Sequence, residues 1–449
     1  RPERYPAYLS ATRAWLEKKL PPEVLYGAGL TVTVAMNVAM QEETDRLFST
    51  KVPWLESIIG RRKDRLEAAG VFMDHQTGAI LALWGGSDVT ATSFNRATLA
   101  RRQPGSSFKP VVYAMAFDQP PNADGTPKFT AAHAEPNSPR VFKTPQGDWS
   151  PRNVGGEYSS TACLAQGLAW SQNIATASLL EEMGGPKLLK EYAKKLGFDT
   201  SLFKEEYGLA LGQGEVTVLE MATFAGIVAN GGKALEGSPV LSAVDPAGLY
   251  RISAPTIGKP VMGENAAALT RELMRLVIDI GTGGAARGAG GEGGYAGQAM
   301  GKTGTTDKER DLWFIGATPK YSAALWLGYD QPAGLGWAAS DLAAPLWGWW
   351  MGRITKPEGE LPTFPTEPKL EFRSICKVSG RVSNGSCPLI TAPFLPGTTP
   401  KAVCGGAHPP PVEEDPLAEP VEGEVPADGS TPAEGAVKKK HESLWKKRA

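Results

Sequence analysis

Three short motifs occur in a fixed order in this chain, and together they constrain its fold and chemistry more than any other feature. In chain order they are Ser106-Ser107-Phe108-Lys109, Ser171-Gln172-Asn173 and Lys302-Thr303-Gly304. Residues three apart lie on one face of a helix, so the Ser106 hydroxyl and the Lys109 amine are predicted to be neighbours. A lysine that is kept neutral can take the proton of a serine. The first motif therefore predicts Ser106 as a nucleophile and Lys109 as its base.

The second and third motifs offer the partners that such a pair needs. A free lysine has a pKa of about 10.4, so Lys109 must be buried or lie near another cation to be neutral at physiological pH. Lys302 is predicted to supply that positive charge, and Ser171 to relay a proton between the reacting centre and a lysine. The Asn173 amide is predicted to orient Lys109 and to hold a substrate carbonyl. None of the four histidines lies near a motif, so a Ser-His-Asp triad lacks its base.

The residues around the third motif predict how a substrate is held. The backbone N–H of Ser106, at a helix N-terminus, and that of Thr305 are predicted to form an oxyanion hole. The Thr303 and Thr305 hydroxyls are predicted to bind a substrate carboxylate, with Lys302 supplying the charge. Gly304 is predicted to leave room for the backbone to lie close to the substrate.

Composition excludes several other functions. The formal net charge is -1, which gives no reason to expect a nucleic-acid partner. The sequence has no phosphate-binding loop, dinucleotide fingerprint or zinc-type cysteine spacing, so we expect neither a cofactor nor a metal. It has no run of about 18 apolar residues that would span a membrane. Because the chain begins Arg1-Pro2-Glu3-Arg4, without Met, we interpret it as a fragment whose parent carries its anchor elsewhere.

The four cysteines fall into two groups. Cys163 stands alone in an apolar context and is predicted to be a buried thiol. Cys376, Cys387 and Cys404 cluster in a segment rich in Pro, Gly and Ser, and in an oxidising compartment at least one disulfide is predicted among them. The odd number leaves the pairing open.

Hydrophobic periodicity predicts an α+β fold. Alternating apolar runs predict a β-hairpin at 71–84 and strands near 298–304, 313–316 and 323–328, which make an antiparallel sheet of five strands. Residues 153–235 are rich in apolar helical patterns, and an aromatic helix at 343–351 is predicted to cover the sheet. We predict four parts: a linker module at 1–64, the catalytic domain at 65–355, a small Pro/Gly/Cys-containing segment at 356–408, and a disordered tail at 409–449.

With the motifs in their flanking contexts, the chain resembles the transpeptidase part of class A, bifunctional penicillin-binding proteins. The resemblance covers about residues 25–350. The stretches that carry it are Ser93-Phe94-Asn95-Arg96-Ala97, Arg102-Gln103-Pro104-Gly105-Ser106-Ser107-Phe108-Lys109-Pro110, Ala169-Trp170-Ser171-Gln172-Asn173-Ile174-Ala175, Leu209-Ala210-Leu211-Gly212, Glu215-Val216-Thr217, Ala229-Asn230-Gly231-Gly232, Gly301-Lys302-Thr303-Gly304-Thr305-Thr306 and Trp313-Phe314-Ile315-Gly316.

The resemblance implies a fold, a reaction and a location. The fold is that of penicillin-binding transpeptidases and serine β-lactamases, a five-stranded antiparallel sheet flanked by helices with a helical subdomain. The reaction cross-links peptidoglycan stem peptides through a D-alanyl acyl-enzyme that β-lactam antibiotics block, with no cofactor. The location is the outer face of the bacterial cytoplasmic membrane, with an anchor and a glycosyltransferase domain upstream and with divisome or elongation proteins as partners.

Two other functions are compatible with the motifs. A serine β-lactamase would need a base that activates water, such as a Glu in a Glu-x-x-Leu-Asn context, and the sequence has no such motif. A β-lactam sensor domain would be acylated once and would not turn over. Turnover of penicillin separates the first alternative from a transpeptidase, and turnover of a D-Ala-D-Ala peptide separates the second.

Overall fold

The computed structural model describes residues 4–60, 64–88, 94–255, 257–289, 292–355 and 361–408. The predicted tail, 409–449, and Ser93 of the resemblance lie outside the described residues. The α-helices are α1 Pro6–Glu17, α2 Pro22–Gly27, α3 Val38–Ile59, α4 Lys109–Phe117, α5 Leu164–Ala169, α6 Asn173–Glu182, α7 Pro186–Lys195, α8 Val218–Ala229, α9 Glu264–Asp279 and α10 Ala343–Ile354. Short 3-10 helices are Gly105–Phe108, Val154–Gly156, Thr200–Leu202, Tyr207–Leu211, Gly284–Arg287 and Asp307–Glu309.

The strands are mostly short, and the longer ones belong to one central sheet. They are β1 Thr31–Val34, β2 Glu67–Asp74, β3 Ala79–Trp84, β4 Ala134–Pro136, β5 Phe142–Thr144, β6 Gly147–Trp149, β7 Thr161–Cys163, β8 Lys233–Ala234, β9 Val240–Val244, β10 Arg251–Ser253, β11 Lys259–Pro260, β12 Gly288–Ala289, β13 Glu292–Gly293, β14 Met300–Thr305, β15 Asp311–Ala317, β16 Tyr321–Gly328, β17 Glu371–Cys376 and β18 Leu389–Phe394.

The central sheet has five strands in the order β14-β15-β16-β2-β3, and every neighbouring pair is antiparallel. The hairpin predicted at 71–84 forms β2 and β3, and the three later runs form β14, β15 and β16. The α+β class and the five-stranded antiparallel sheet predicted from the sequence are therefore confirmed. The strand that carries Lys302, β14, lies at the edge of this sheet.

Both faces of the sheet are buried, which explains why its strands are so apolar. Successive side chains of a strand point to opposite faces. On β15, Trp313 and Ile315 enter the larger hydrophobic core with helices α4, α8 and α9. Leu312 and Phe314 enter a second core under α3 and α10. The sheet is thus the middle layer between two layers of helices.

Helices α3 and α10 close the second core, and α10 is the aromatic helix predicted to cover the sheet. The Asn37 side chain accepts a hydrogen bond from the Met40 N–H at 3.1 Å and so caps α3. The aromatic helix α10 donates from the Trp347 indole to the Ala323 carbonyl at 3.1 Å, and from the Trp350 indole to the Thr44 hydroxyl at 2.9 Å. Buried indole N–H groups need such acceptors, so these bonds orient the helix on the sheet.

Segments on both sides of the predicted catalytic domain pack against it. Strand β1 of the lead-in pairs with β9, which pairs with β10, in a separate three-stranded sheet. From the C-terminal segment, Ile375 and Phe394 are buried in the larger core. The predicted domain boundaries remain predictions. Among the described helices, none is both long and apolar enough to cross a membrane.

Candidate active site

The turn that carries Ser106 is pressed against the edge strand β14, and glycines make this possible. Gly105 has a φ of 52°, and a Cβ there would lie 2.6 Å from the Thr305 carbonyl oxygen. A Cβ on Gly304 would overlap the Pro104 carbonyl oxygen. Only glycine fits where two backbones approach this closely and where φ is positive. The two glycines thereby bring Ser106 beside the third motif.

The structure places Lys109 at the centre of the site. Its side chain is completely buried on the first turn of α4. The Nζ atom donates to the Asn173 Oδ1 atom at 2.6 Å and to the Ser171 carbonyl oxygen, and lies 3.2 Å from the Ser171 Oγ atom. The first and second motifs are therefore in direct contact, and the bond to Asn173 is the contact that the predicted orienting role of this residue requires.

Lys302 reaches the same hydroxyl from the opposite side. This buried side chain donates from Nζ to the Ser171 Oγ atom at 2.8 Å and to the Thr303 carbonyl oxygen at 3.1 Å. Ser171 therefore bridges the two lysines, although it lies 131 residues before Lys302 in the sequence. In the described part of the chain, the hydrogen bonds of both lysines go to carbonyl, hydroxyl and amide oxygens, and none goes to a carboxylate.

The surroundings lower the pKa of both amines. Burial, and next the nearby positive charge of Lys302, hold the pKa of Lys109 well below its ordinary value. Burial lowers the pKa of Lys302 to about 7. Because burial disfavours the charged form of an amine, a lysine in such a site can act as a base near neutral pH.

The backbone of Ser171 has the left-handed conformation, with a φ of 59°. This conformation is uncommon for a residue other than glycine and costs of order 1–3 kcal/mol where it is imposed by its surroundings. It directs both the carbonyl oxygen and the hydroxyl of Ser171 toward lysines. The local strain is consistent with a residue placed for chemistry.

Asn153 is a part of the site that the sequence analysis missed. Its Oδ1 atom accepts from the N–H groups of Asn173 at 2.8 Å and Ile174 at 3.1 Å, the first residues of α6. Asn153 thus caps this helix from a distant loop and holds the Asn173 backbone in place. Its 20-residue separation from Asn173 leaves no local sequence pattern to reveal it.

The hydroxyls of the two threonines in and after the third motif have partners within the protein. The Thr303 hydroxyl shares a hydrogen bond of 2.8 Å with the Thr282 hydroxyl, and the Thr305 hydroxyl accepts from the Ala339 N–H at 3.0 Å. Since the bond from Ala339 occupies an acceptor site of Thr305, the proton of that hydroxyl stays available for a carboxylate. Edge strands present one row of unpaired backbone groups, which agrees with the predicted oxyanion role of the Thr305 N–H.

The structure gives Gly304 a packing role beside the one predicted for it. A Cβ at this position would meet the Pro104 carbonyl oxygen and the Ser107 side chain. The glycine is therefore needed where β14 packs directly against the serine-bearing turn. The predicted approach of the Gly304 backbone to a substrate stays a prediction.

All four cysteines are free thiols in the structure, so the disulfide predicted for an oxidising compartment stays a prediction. Cys163 is buried, as predicted. Cys376, Cys387 and Cys404 are buried together, and their sulfur atoms lie within 4.8 Å of one another and of a ring nitrogen of His408. The sequence analysis missed this group because Cys376, Cys387 and Cys404 do not have a zinc-type spacing.

Comparison with known proteins identifies the family. The family model described as penicillin binding protein transpeptidase domain matches residues 68–339, and this chain belongs to that family. The resemblance, the fold and the assignment to serine-type transpeptidases that the sequence predicted are confirmed.

The relatives include class A penicillin-binding proteins. Penicillin-binding protein 1A of Neisseria lactamica is 35% identical over 293 residues, which cover 63% of this chain and 35% of the relative. Penicillin-binding protein 1A of Aquifex aeolicus is 30% identical, over 76% of this chain and 45% of the relative. The PonA1 protein of Mycobacterium tuberculosis, solved in complex with penicillin V, is 25% identical with a TM-score of 0.65, over 84% of this chain and 98% of that one. The chain thus spans 35% of the length of the Neisseria relative and 45% of the length of the Aquifex relative.

Proposed function

We propose that this chain is a peptidoglycan D,D-transpeptidase that cross-links stem peptides through a Ser106 acyl-enzyme at D-Ala-D-Ala and is inactivated by β-lactams. The observation that carries the proposal is the pair of buried lysines that meet at the Ser171 hydroxyl, 3.2 Å from Lys109 and 2.8 Å from Lys302. Such a pair provides a neutral base and a positive charge within one site. The complex of the PonA1 relative with penicillin V supports the same chemistry.

Acylation begins with a proton transfer from Ser106. A neutral amine has two protons and one lone pair, and the acceptors at the Ser171 carbonyl and the Asn173 amide occupy the two protons of Lys109. The lone pair is then free to accept the Ser106 proton while Oγ attacks the carbonyl of the penultimate D-Ala. The N–H groups of Ser106 and Thr305 stabilise the oxyanion.

The terminal D-Ala leaves once its amine is protonated. The Lys109 ammonium lies in a buried site beside Lys302, where two positive charges repel each other. This repulsion favours passing the proton through the Ser171 hydroxyl to the leaving amine. The departing carboxylate is held by Lys302 with the Thr303 and Thr305 hydroxyls. An acceptor amine then attacks the ester, with Lys109 as base again.

The parent protein is proposed to act on the outer face of the bacterial cytoplasmic membrane. The chain matches only 35% of the length of the Neisseria relative, so the membrane anchor and the glycosyltransferase domain are proposed to lie in the rest of the parent. Nascent glycan strands linked to lipid would supply the stem peptides. Divisome or elongation proteins are the proposed partners there.

A turnover experiment tests this function against its two alternatives. Purified protein is mixed with a D-Ala-D-Ala stem peptide and an acceptor amine, and mass spectrometry follows release of D-Ala and formation of the cross-linked product. We expect both products, and we expect a stable penicillin adduct to block them. Repeated hydrolysis of penicillin would instead indicate a β-lactamase. A stable adduct without release of D-Ala would indicate a sensor.

The two lysines predict a bell-shaped pH profile for acylation by β-lactams that carry a carboxylate. Activity should rise with pH as Lys109 loses its proton, and should fall again as Lys302, with its pKa of about 7 in the free enzyme, loses the charge that holds the carboxylate. An analogue without the carboxylate should lack the alkaline decline. Replacing Lys302 by Met should slow acylation by the charged compound roughly 10–100-fold more than by the neutral one, the worth of a charged hydrogen bond.

The measurement is the second-order acylation rate by stopped flow from mildly acidic to alkaline pH. Lys187→Met, which removes an exposed lysine on α7, is the control and should leave both profiles unchanged. The same alkaline decline with both compounds would contradict the role proposed for Lys302.

A further inference from the structure

Four side chains that bind metals in other proteins converge at the C-terminal end of the described chain. Cys376 ends β17, Cys387 precedes β18, and Cys404 and His408 follow this hairpin. The His408 Nε2 atom lies 3.0 Å from the Cys376 Sγ atom and 3.2 Å from the Cys404 Sγ atom. All four potential ligand atoms lie within 4.8 Å of one another.

These separations fit a shared metal ion better than a disulfide. Tetrahedral zinc with sulfur ligands at about 2.3 Å and a nitrogen ligand at about 2.0 Å places neighbouring ligand atoms about 3.5–3.8 Å apart. A disulfide needs about 2.0 Å between two sulfurs, and it would leave the third thiol and the imidazole without a role. The three sulfurs and one imidazole nitrogen are a ligand set that zinc favours.

Hydrogen-bond donors surround the sulfur atoms. The Ser379 N–H points to the Cys376 sulfur at 3.5 Å, and the Gly406 N–H points to the Cys404 sulfur at 3.4 Å. The Ser379 hydroxyl also donates to the Cys404 sulfur, at 3.6 Å. Donors of this kind stabilise thiolates and orient metal ligands from outside the coordination sphere. The cysteines themselves are at least 94% buried, which protects such a site from solvent.

We propose that Cys376, Cys387, Cys404 and His408 form a structural zinc site. Binding of the ion would release the protons of the three thiols and leave no open position for a substrate. Because the ligands span residues 376–408, the ion would tie the β17–β18 hairpin to the chain that follows it.

The zinc site would also support the second catalytic motif. The Lys377 carbonyl, next to the first ligand, accepts from the Cys163 N–H at 2.9 Å, and the Thr161 hydroxyl donates to the Val378 carbonyl at 2.8 Å. The Lys377 ammonium lies 4.1 Å from the centre of the Trp170 ring, immediately before Ser171. Loss of the metal should therefore loosen the turn that packs beside the Ser171 motif.

Metal analysis of the full chain tests the proposal. The protein is exported to an oxidising compartment, purified without reductant or chelator, and analysed by inductively coupled plasma mass spectrometry. We expect about one zinc per chain, the content of a single closed site, in the unmodified protein and in the Cys163→Ala control. Cys387→Ser and His408→Gln should lose most of it. Absence of zinc from the unmodified protein, or a disulfide among the three cysteines on peptide mapping, would overturn the proposal.

Cobalt substitution tests the same site in the unmodified protein, so its result does not depend on whether the variants fold. The unmodified protein is stripped with a chelator under reducing conditions, its fold is checked by circular dichroism, and cobalt(II) is added. We expect the strong visible bands of tetrahedral cobalt, a sulfur-to-cobalt charge-transfer band and loss of both on adding zinc. Protein that retains its fold but shows only the weak spectrum of octahedral cobalt would refute the site, as would protein to which zinc restores no thermal stability.

Discussion

Replacing Ser106 by alanine is expected to abolish covalent labelling by penicillin, with a fall in acylation rate of at least about 10³-fold, because loss of a serine nucleophile leaves only binding and oxyanion stabilisation. Ser106 is half-buried on the turn beside β14, and this turn leads directly into the helix that Lys109 begins. Intact mass after incubation with penicillin, followed by peptide mapping, measures the effect.

The neighbouring serine is a matched control for this change. Ser107 is fully buried, and its hydroxyl donates to the Pro104 carbonyl at 2.8 Å, so it packs inward and has no access to a substrate. Ser107→Ala should therefore retain labelling while losing some stability, about 1 kcal/mol for one internal hydrogen bond. An adduct on Ser107, or normal labelling of Ser106→Ala, would rule out Ser106 as the nucleophile.

Replacing Lys109 by methionine is expected to lower the acylation rate about 10²–10⁴-fold, the usual contribution of a general base. Methionine is similar in length and apolar, so it fits a completely buried position better than arginine, whose charge cannot be removed. Stopped-flow acylation measures the loss. An exposed lysine on α7, Lys187, provides the control substitution, Lys187→Met.

Comparison with the Lys109→Met variant should also show how burial of the Lys109 amine affects the free energy of unfolding. The effect should appear in the pH dependence of that free energy. Burial and Lys302 lower the pKa of Lys109 in the folded protein, so between that pKa and the ordinary lysine value the unfolded state binds one more proton. Over this range the free energy of unfolding of the unmodified protein should rise with pH relative to Lys109→Met. Urea denaturation of both proteins across this range measures the difference, and parallel pH curves would show that Lys109 is charged in the fold.

Sequence patterns predicted much of the fold because its strands have regular local signatures. The hairpin of β2 and β3 and the apolar runs of β15 and β16 could be recognised from residues close together in the chain. Because both faces of the sheet must be buried, only a few ways of pairing these strands are possible. The types of residue at the active site were equally local, since Ser106 and Lys109 are one helical turn apart.

Contacts between segments that are far apart in the sequence could be identified only in the tertiary structure. The sequence alone determined which groups are available: two serines, two lysines, an asparagine and a cluster of cysteines. Only the folded chain decided that Lys302 meets Ser171, that Asn153 caps α6, and that Gly304 faces the serine turn. It also decided that three thiols surround His408 instead of forming a pair. The physical reason is that distances between remote residues depend on how sheet and helices pack, and packing is a property of the whole chain.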